Sequence, residues 1–425
     1  MSILSEGAAA TWGIAALATG GIIARPWRLP EATWALLGAA ALVAFGLLPW
    51  SDALRGAARG LDVYLFLAGM MVLAELARRE GLFDWLAALA VSRARGSPQR
   101  LFTLVYAVGT VVTVFLSNDA TAVVLTPAVY AAARAAGATP LPYLFVCAFV
   151  ANAASFVLPI SNPANLVIFD GRMPHLTAWL AQFAVPSVAA IAMTYLALRL
   201  TLRAALRRER IAREVTRPEL GRGGRLTAYG IAAAAVVLLA CSAFDVQLGL
   251  PTFLCGCVTA AIVLTLDRRA PWPLLRAISW DVLALVAGLF VLVEGLARTG
   301  VIVALSQILR HAVETSANGT ALGAGLLVAL AGNLVNNLPA GLIAGSVVTA
   351  GEVPAQVIAA LLVGVDLGPN LSVTGSLATI LWLVALRREG EGVDAWRFLR
   401  LGAIVMPCAL IPALLGLIAL AARSS

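Results

Sequence analysis

Two short polar clusters interrupt long apolar runs in this chain, and both carry side chains able to hold a proton or a small hydroxylated solute. One is Ser117-Asn118-Asp119, between apolar residues 101–116 and 120–135; the other is Asn336-Asn337, between 320–334 and 338–350. Two further polar stretches cut apolar runs at Pro159–Asn165, which includes Ser161, Asn162 and Asn165, and at Asp366–Ser376, which includes Asn370, Ser372 and Thr374. Asp119 and Asp366 are the acids of this set. An acid at bilayer depth costs about 3 kcal/mol and is read first as functional. A carboxyl in such a place is suited to taking up and releasing a proton. The remaining candidates are amides and hydroxyls with no Lys or Arg beside them: Asn118, Thr121, Ser161, Asn162, Asn165, Asn336, Asn337, Asn370, Thr374 and Ser376. A dicarboxylate or phosphate site favours charge-assisted donors, although helix N-termini can hold anions alone. The set suits a neutral, hydroxylated cargo better.

Each assignment has a structural competitor. Asp119 can serve as N-cap to the helix that follows it, and Asp366 can act as a cap beside Gly368-Pro369. Asn152 and Asn333 can join helices by hydrogen bonds. Glu75 and Glu294 sit near helix ends, where pairing with Arg is the simpler role. The five cysteines (Cys147, Cys241, Cys255, Cys257 and Cys408) are scattered through apolar runs. They read as small hydrophobes, not as a disulfide or metal framework. His175 and His311 stand near loops, so no metal or cofactor is expected.

The elements that position these residues are membrane helices. The chain has 425 residues, 61% hydrophobic and 12% charged, too apolar for a soluble domain. Runs of spanning length recur throughout, for example at 226–246 and 401–422. Other runs are read at 31–49, 61–77, 142–169, 175–201, 249–266, 280–297 and 354–386. The segment before the first run has no basic residue, so that run is expected to stay in the protein and not be cleaved as a signal. The pairs about 101–135 and about 320–350 read as re-entrant hairpins meeting at their polar tips. The stretches about 159–165 and about 366–376 read as breaks within helices, because Pro removes a helical donor and Gly loosens the chain. Irregular backbone at depth survives only inside protein or beside water.

Residues 62–81 and 281–300 are copies. Aligned without gaps they share nine of twenty residues: Asp62/Asp281, Val63/Val282, Ala68/Ala287, Gly69/Gly288, Val72/Val291, Leu73/Leu292, Glu75/Glu294, Arg79/Arg298 and Gly81/Gly300. Nearly the same offset carries Asn118-Asp119 onto Asn336-Asn337. The expected fold is an all-α polytopic membrane protein of two inverted-topology repeats, 1–202 and 226–425, joined by an Arg-rich cytoplasmic linker at 203–225. Each repeat holds one re-entrant hairpin and one broken helix. Such duplication points to a carrier whose site lies between its halves. The formal charge of +8 comes from 30 Arg with no Lys. If the hairpin at 101–135 enters from the cytoplasm, 24 of those 30 Arg fall in cytoplasmic segments. That satisfies the positive-inside tendency and explains the charge without nucleic acid.

The motifs Ser117-Asn118-Asp119-Ala120 with Leu125-Thr126-Pro127, Asn336-Asn337-Leu338-Pro339, and Asp366-Leu367-Gly368-Pro369 with Gly375-Ser376-Leu377-Ala378-Thr379 occur in order along nearly the whole chain. They resemble the arsenite/antimonite efflux permeases of the ArsB type, in the ion transporter superfamily. The resemblance implies export of trivalent arsenic or antimony hydroxide from a bacterial cell across its inner membrane. Proton entry would drive it, sometimes with a cytoplasmic ATPase as partner. It also implies site roles for Asn118, Asp119, Asn162, Asn165, Asn336, Asn337 and Asp366. The alternative within the same architecture is a carrier of organic anions or a sodium/proton antiporter. An intramembrane enzyme is disfavoured, since no paired-Asp signature or Gly-x-Ser-x-Gly elbow is present. The chain departs from the family pattern at Asn370, where familiar members have Lys, and at Asn152, where they have Asp. Its first break reads Ser-Asn-Pro-Ala-Asn instead of Ser-Asn-Leu-Val-Asn.

Overall fold

The computed structural model describes residues 6–169, 173–208, 211–212, 218–351 and 353–424. Every regular element among them is helical, as the bilayer demands of a chain that cannot hydrogen-bond to water. The first half contains α1 (Glu6–Ala24), α2 (Glu31–Ala44), α3 (Trp50–Arg59), α4 (Leu61–Arg79), α5 (Leu82–Ala94) and α6 (Pro98–Phe115). After α6 the chain turns, and α7 (Asn118–Ala120), a π-helical turn over Thr121–Leu125 and α8 (Thr126–Ala135) form one returning arm. Then come α9 (Leu141–Ala153), α10 (Pro163–Phe169), α11 (Leu176–Thr201) and the start of the connector, α12 (Arg203–Arg208).

The second half is also helical in every regular element described. It runs α13 (Arg222–Ala243), α14 (Gly249–Leu266), α15 (Trp272–Ala277), α16 (Asp281–Arg298) and α17 (Val301–Thr315). The second pair of arms is α18 (Ala317–Val335) and α19 (Asn337–Gly351), followed by α20 (Ala355–Leu367), α21 (Leu377–Arg388) and α22 (Ala395–Ser424). Among the described residues seven helices are long and apolar enough to cross a membrane, or nine if the bent pairs α3–α4 (47°) and α16–α17 (74°) each count as one span. The protein is a polytopic membrane protein.

Several boundaries differ from the sequence reading. The run at 31–49 is not one helix: α2 stops at Ala44, Gly46 takes φ +69°, and Pro49 precedes α3. The first break begins five residues early, at Ala154, and α10 restarts at Pro163, so Asn165 lies on a helix. The second break begins later than expected, because α20 carries Asp366 within its last turn before a 3-10 turn at Gly368–Asn370. α6 and α18, each read from the sequence as one arm of a re-entrant hairpin, are each long and apolar enough to be counted as a span. Within the Arg-rich linker, residues 209–210 and 213–217 lie outside the described set.

The halves are intertwined. α4 of the first half packs along α14 of the second, and α16 of the second packs along α2 of the first. The duplicated glycines sit at these crossings. A methyl group on Gly69 would meet the Thr252 carbonyl, and one on Gly288 would lie 2.8 Å from Ala35. Small residues allow such backbone approach in membranes. α9 is buried over all thirteen of its residues, and α20 is buried from Ala359 to Leu367. A helix that is apolar all round belongs in the core. These two helices lead into the two breaks, so the breaks are central. α6 packs beside α9 and α18 beside α20, which brings each turn next to a break.

Gly69→Leu and Gly288→Leu overpack the two helix crossings. Each is expected to destabilise the protein by about 1–3 kcal/mol, read as a lowered Tm in detergent. Gly20→Leu, at a position whose added carbon meets nothing within 4 Å, should leave Tm unchanged.

Candidate functional site

At the first tip, Ser117 is the helix cap. Its backbone is extended, and its Oγ accepts a hydrogen bond from the Ala120 N–H at 3.1 Å. Asp119 therefore does not cap the helix. It stands one position inside the first turn, where the helix dipole favours an acid, with its side chain partly accessible. Asn118 Oδ1 accepts from the Asp119 N–H at 2.9 Å. Beyond the tip, Pro127 offers no N–H to the carbonyl four residues back, and the arm widens into the π turn at Thr121–Leu125. Thr121 turns toward the other arm, with its hydroxyl 2.8 Å from that of Thr113.

The second tip is built differently. Asn336 takes φ +75°, a region Asn tolerates better than most residues. Its Nδ2 donates to the Thr374 carbonyl at 3.4 Å, and the Asn337 N–H donates to the Gly375 carbonyl at 2.9 Å. Asn333 accepts from Ser372 Oγ at 2.7 Å and donates to the Gly368 carbonyl at 2.9 Å. Thr374 Oγ1 donates back to the Asn333 carbonyl at 3.0 Å. This tip is laced to the break of its own half.

The two breaks are bonded to each other across the halves. Asn162 Nδ2 donates to Asp366 Oδ1 at 2.7 Å. Asn152 Nδ2 donates to Asn370 Oδ1 at 3.0 Å, and Asn370 Nδ2 donates to the Phe149 carbonyl at 3.2 Å. The two departures from the family pattern are thus one feature. The two positions where the resemblance leads one to expect Asp and Lys face each other, and here an amide pair fills them. The other oxygens of this layer, Asp366 Oδ2, Asn152 Oδ1 and Asn165 Oδ1, are buried without a hydrogen-bond partner. Asn165 Nδ2 spends its donors on the Ser155, Leu158 and Pro159 carbonyls, which holds the first break open. Ser161 Oγ donates to the Val114 carbonyl at 3.0 Å, tying that break to α6.

Tips and breaks converge on one void of about 10 Å³, room for about one water, whose walls include Asn118, Asp119, Asn162, Asn337 and Ser376. Of the residues expected at a site, these five meet there. Ser161, Asn165, Asn336 and Thr374 are committed to the backbone around it, Thr121 to the neck of the first hairpin, and Asn370 to Asn152. Asp366 touches the group through Asn162. No Lys or Arg lines the void among the described residues. Ser117 and Asp119 also form the inner end of a cavity of about 700 Å³. Its far end is rimmed by Glu75, Arg78, Asp84, Arg388 and Glu389, on the Arg-rich side of the protein. Arg78 is bound through two nitrogens to Glu75, at 2.6 and 2.7 Å. Sequence reasoning did not single out Ser155 or Thr113, because lone hydroxyls in apolar helices carry no positional signal.

The amide pair at Asn152 and Asn370 gives a direct test. Asn152→Asp or Asn370→Lys alone buries an unpaired charge and is expected to cost about 3–5 kcal/mol. The double substitution should recover most of that loss in a thermal double-mutant cycle. Additive losses would mean that the two side chains do not meet.

Three comparisons bear on what this arrangement belongs to. The arsenical pump membrane protein of Escherichia coli is 28% identical over 357 residues, covering 79% of this chain and 81% of that protein. An uncharacterised transporter of Mycobacterium tuberculosis is 26% identical over 402 residues, covering 89% and 91%. The crystal structure of the YdaH transporter of Alcanivorax borkumensis, described as having an unusual topology, superposes with a TM-score of 0.58 at 14% identity, over 88% of each chain. At that identity it speaks for the fold alone, an all-helical transporter fold. The citrate transporter family, CitMHS, matches residues 16–364, and the chain is a transporter belonging to that family.

Proposed function

We propose that the protein is a secondary active transporter of the bacterial inner membrane that exports arsenite and antimonite as neutral trivalent hydroxides in exchange for protons. The observation that carries this reading is the position of Asp119, at the meeting point of the inter-tip void and the 700 Å³ cavity. The only other walls the void offers are amide, hydroxyl and apolar groups. A neutral As(OH)3 would hydrogen-bond to Asn118, Asn162, Asn337 and Ser376 in the void as it widens during transport. The names of relatives such as the Escherichia coli arsenical pump membrane protein support that cargo.

In the proposed mechanism Asp119 exchanges a proton with water in the cavity. Asp366, fully buried and hydrogen-bonded to a neutral amide, is the second proton carrier. Each proton entering down 100 mV contributes about 2.3 kcal/mol, and a neutral cargo takes none of that back. The halves would be inverted relative to each other, with the cavity side cytoplasmic. The reciprocal pairing of α4 with α14 and α16 with α2 supports this. A cytoplasmic ATPase, if one is used, would dock on the Arg-rich cytoplasmic face.

The description of the family favours a second reading, an organic anion such as citrate as cargo. The two are separated by arsenite uptake into everted vesicles with and without a pH gradient. The first reading expects gradient-driven uptake that excess citrate does not inhibit. It also expects Asp119→Asn to insert normally and to lose gradient-driven uptake. Normal uptake by that variant removes Asp119 from the mechanism, and competition by citrate transfers the case to the anion.

A further inference from the structure

A second, much smaller pocket lies between α3, α10, α16 and α19. It measures about 30 Å³, and its walls include Arg59, Phe290, Val293, Glu294 and Ala297. Shifted by 219 residues, the offset that aligns the duplicated helices, four of these residues fall on Met71, Ala74, Glu75 and Arg78. All four of those line the 700 Å³ cavity. The same shift carries Leu342 and Ser346 of the small pocket onto Val123 and Pro127 of the cavity, and carries Arg59 back from Ile278. The last wall, Val167, lies four residues into α10, as Leu381 of the cavity lies four residues into α21. Every residue around the small pocket therefore has a counterpart around the large one.

We infer that the small pocket is the collapsed exit vestibule, and that the ion pair closing it is the latch of the outward-open form. The inference rests on the inverted-repeat reading given above. The copies of one acid show how the two states differ. Glu75, at the open cavity, pairs with Arg78 and Arg79 of its own helix. Among the described residues the Glu75 side chain pairs with no other element; α4 reaches α15 through a neutral acceptor instead, Arg79 donating to the Pro273 carbonyl. Glu294, at the small pocket, pairs at 2.9 Å with Arg59 from α3, a helix of the other half. Next to it Arg298 binds Asp52 of α3 at 3.0 Å. The ionic bonds that fasten α3 to α16 are the ones that must part before the pocket can widen. Ile278, standing in the position of Arg59, cannot make such a bond across the open cavity. Released on that side, the cargo would pass Glu294, Leu342 and Ser346.

The test is thiol labelling from each face of the membrane, with the wild-type chain and its five cysteines as background. Ala74→Cys reports the cavity and Ser346→Cys the small pocket. An impermeant maleimide is applied to right-side-out and to everted vesicles. Glu294→Gln should raise external labelling of Ser346→Cys about two- to fivefold, the range set by an exposed ion pair. It should lower cytoplasmic labelling of Ala74→Cys in step. Arg59→Gln should do the same, and the swap Arg59→Glu with Glu294→Arg should bring both rates back. Unchanged rates overturn the latch, as does a rise at Ser346→Cys without a fall at Ala74→Cys, which is local loosening. If Ser346→Cys labels from the cytoplasmic face, the inverted-repeat reading fails, and the exit vestibule fails with it.

Discussion

A backbone group without a partner is expensive in hydrocarbon, and this protein leaves its helices at four places among its central elements. The two tips and the two breaks each expose amides and carbonyls that nothing in a lipid could satisfy. The solution is to bring all four together. Ser117 caps the first arm, Asn165 holds the carbonyls of the first break, and Asn333, Asn336 and Thr374 hold the second tip against the second break. Asn162 and Asn152 reach across to Asp366 and Asn370. The result is a polar layer wrapped by apolar helices.

The layer is lopsided. The first tip has a carboxylate that faces an open cavity, while the second has a neutral amide tied to its own break. The same asymmetry recurs at the duplicated glutamates, one bound to its own helix and one bound across the halves. A duplicated chain with identical contacts in both copies would have no preferred side. Here the side-chain bonding differs between the copies, and the polar layer meets the large cavity at Asp119 of the first tip. The interlocked pairing of α4 with α14 and of α16 with α2 gives each half a grip on the other.

Much of the architecture was legible because the duplication is visible in the residues themselves. Gly69 and Gly288 matched in sequence, and both prove to be points of helix crossing. Asn118, Asp119, Asn162 and Asn337 were conspicuous as polar residues in apolar runs, and they meet at one void. Other features could not be read. Nothing in Ser117-Asn118-Asp119 says which residue caps the helix, because all three types can. That Asn152 and Asn370 touch is a tertiary fact, separated by more than half the chain, and it turns two unrelated departures into one compensated exchange. The extent of each break depended on which carbonyls Asn165 and Asn333 could reach, which pattern alone does not encode.

The central claim is that both tips sit at bilayer depth, held in protein. Phe115 and Leu334 lie two residues before the tips at Ser117 and Asn336, align under the 219-residue offset, and have exposed side chains. A spin label at each, Phe115→Cys and Leu334→Cys, can be read for collision with oxygen and with a water-soluble nickel complex. The account predicts that both labels report the middle of the hydrocarbon, at depths within about one helical turn, 5.4 Å, of each other. Free collision of either label with the aqueous complex, at headgroup depth or beyond, would contradict it.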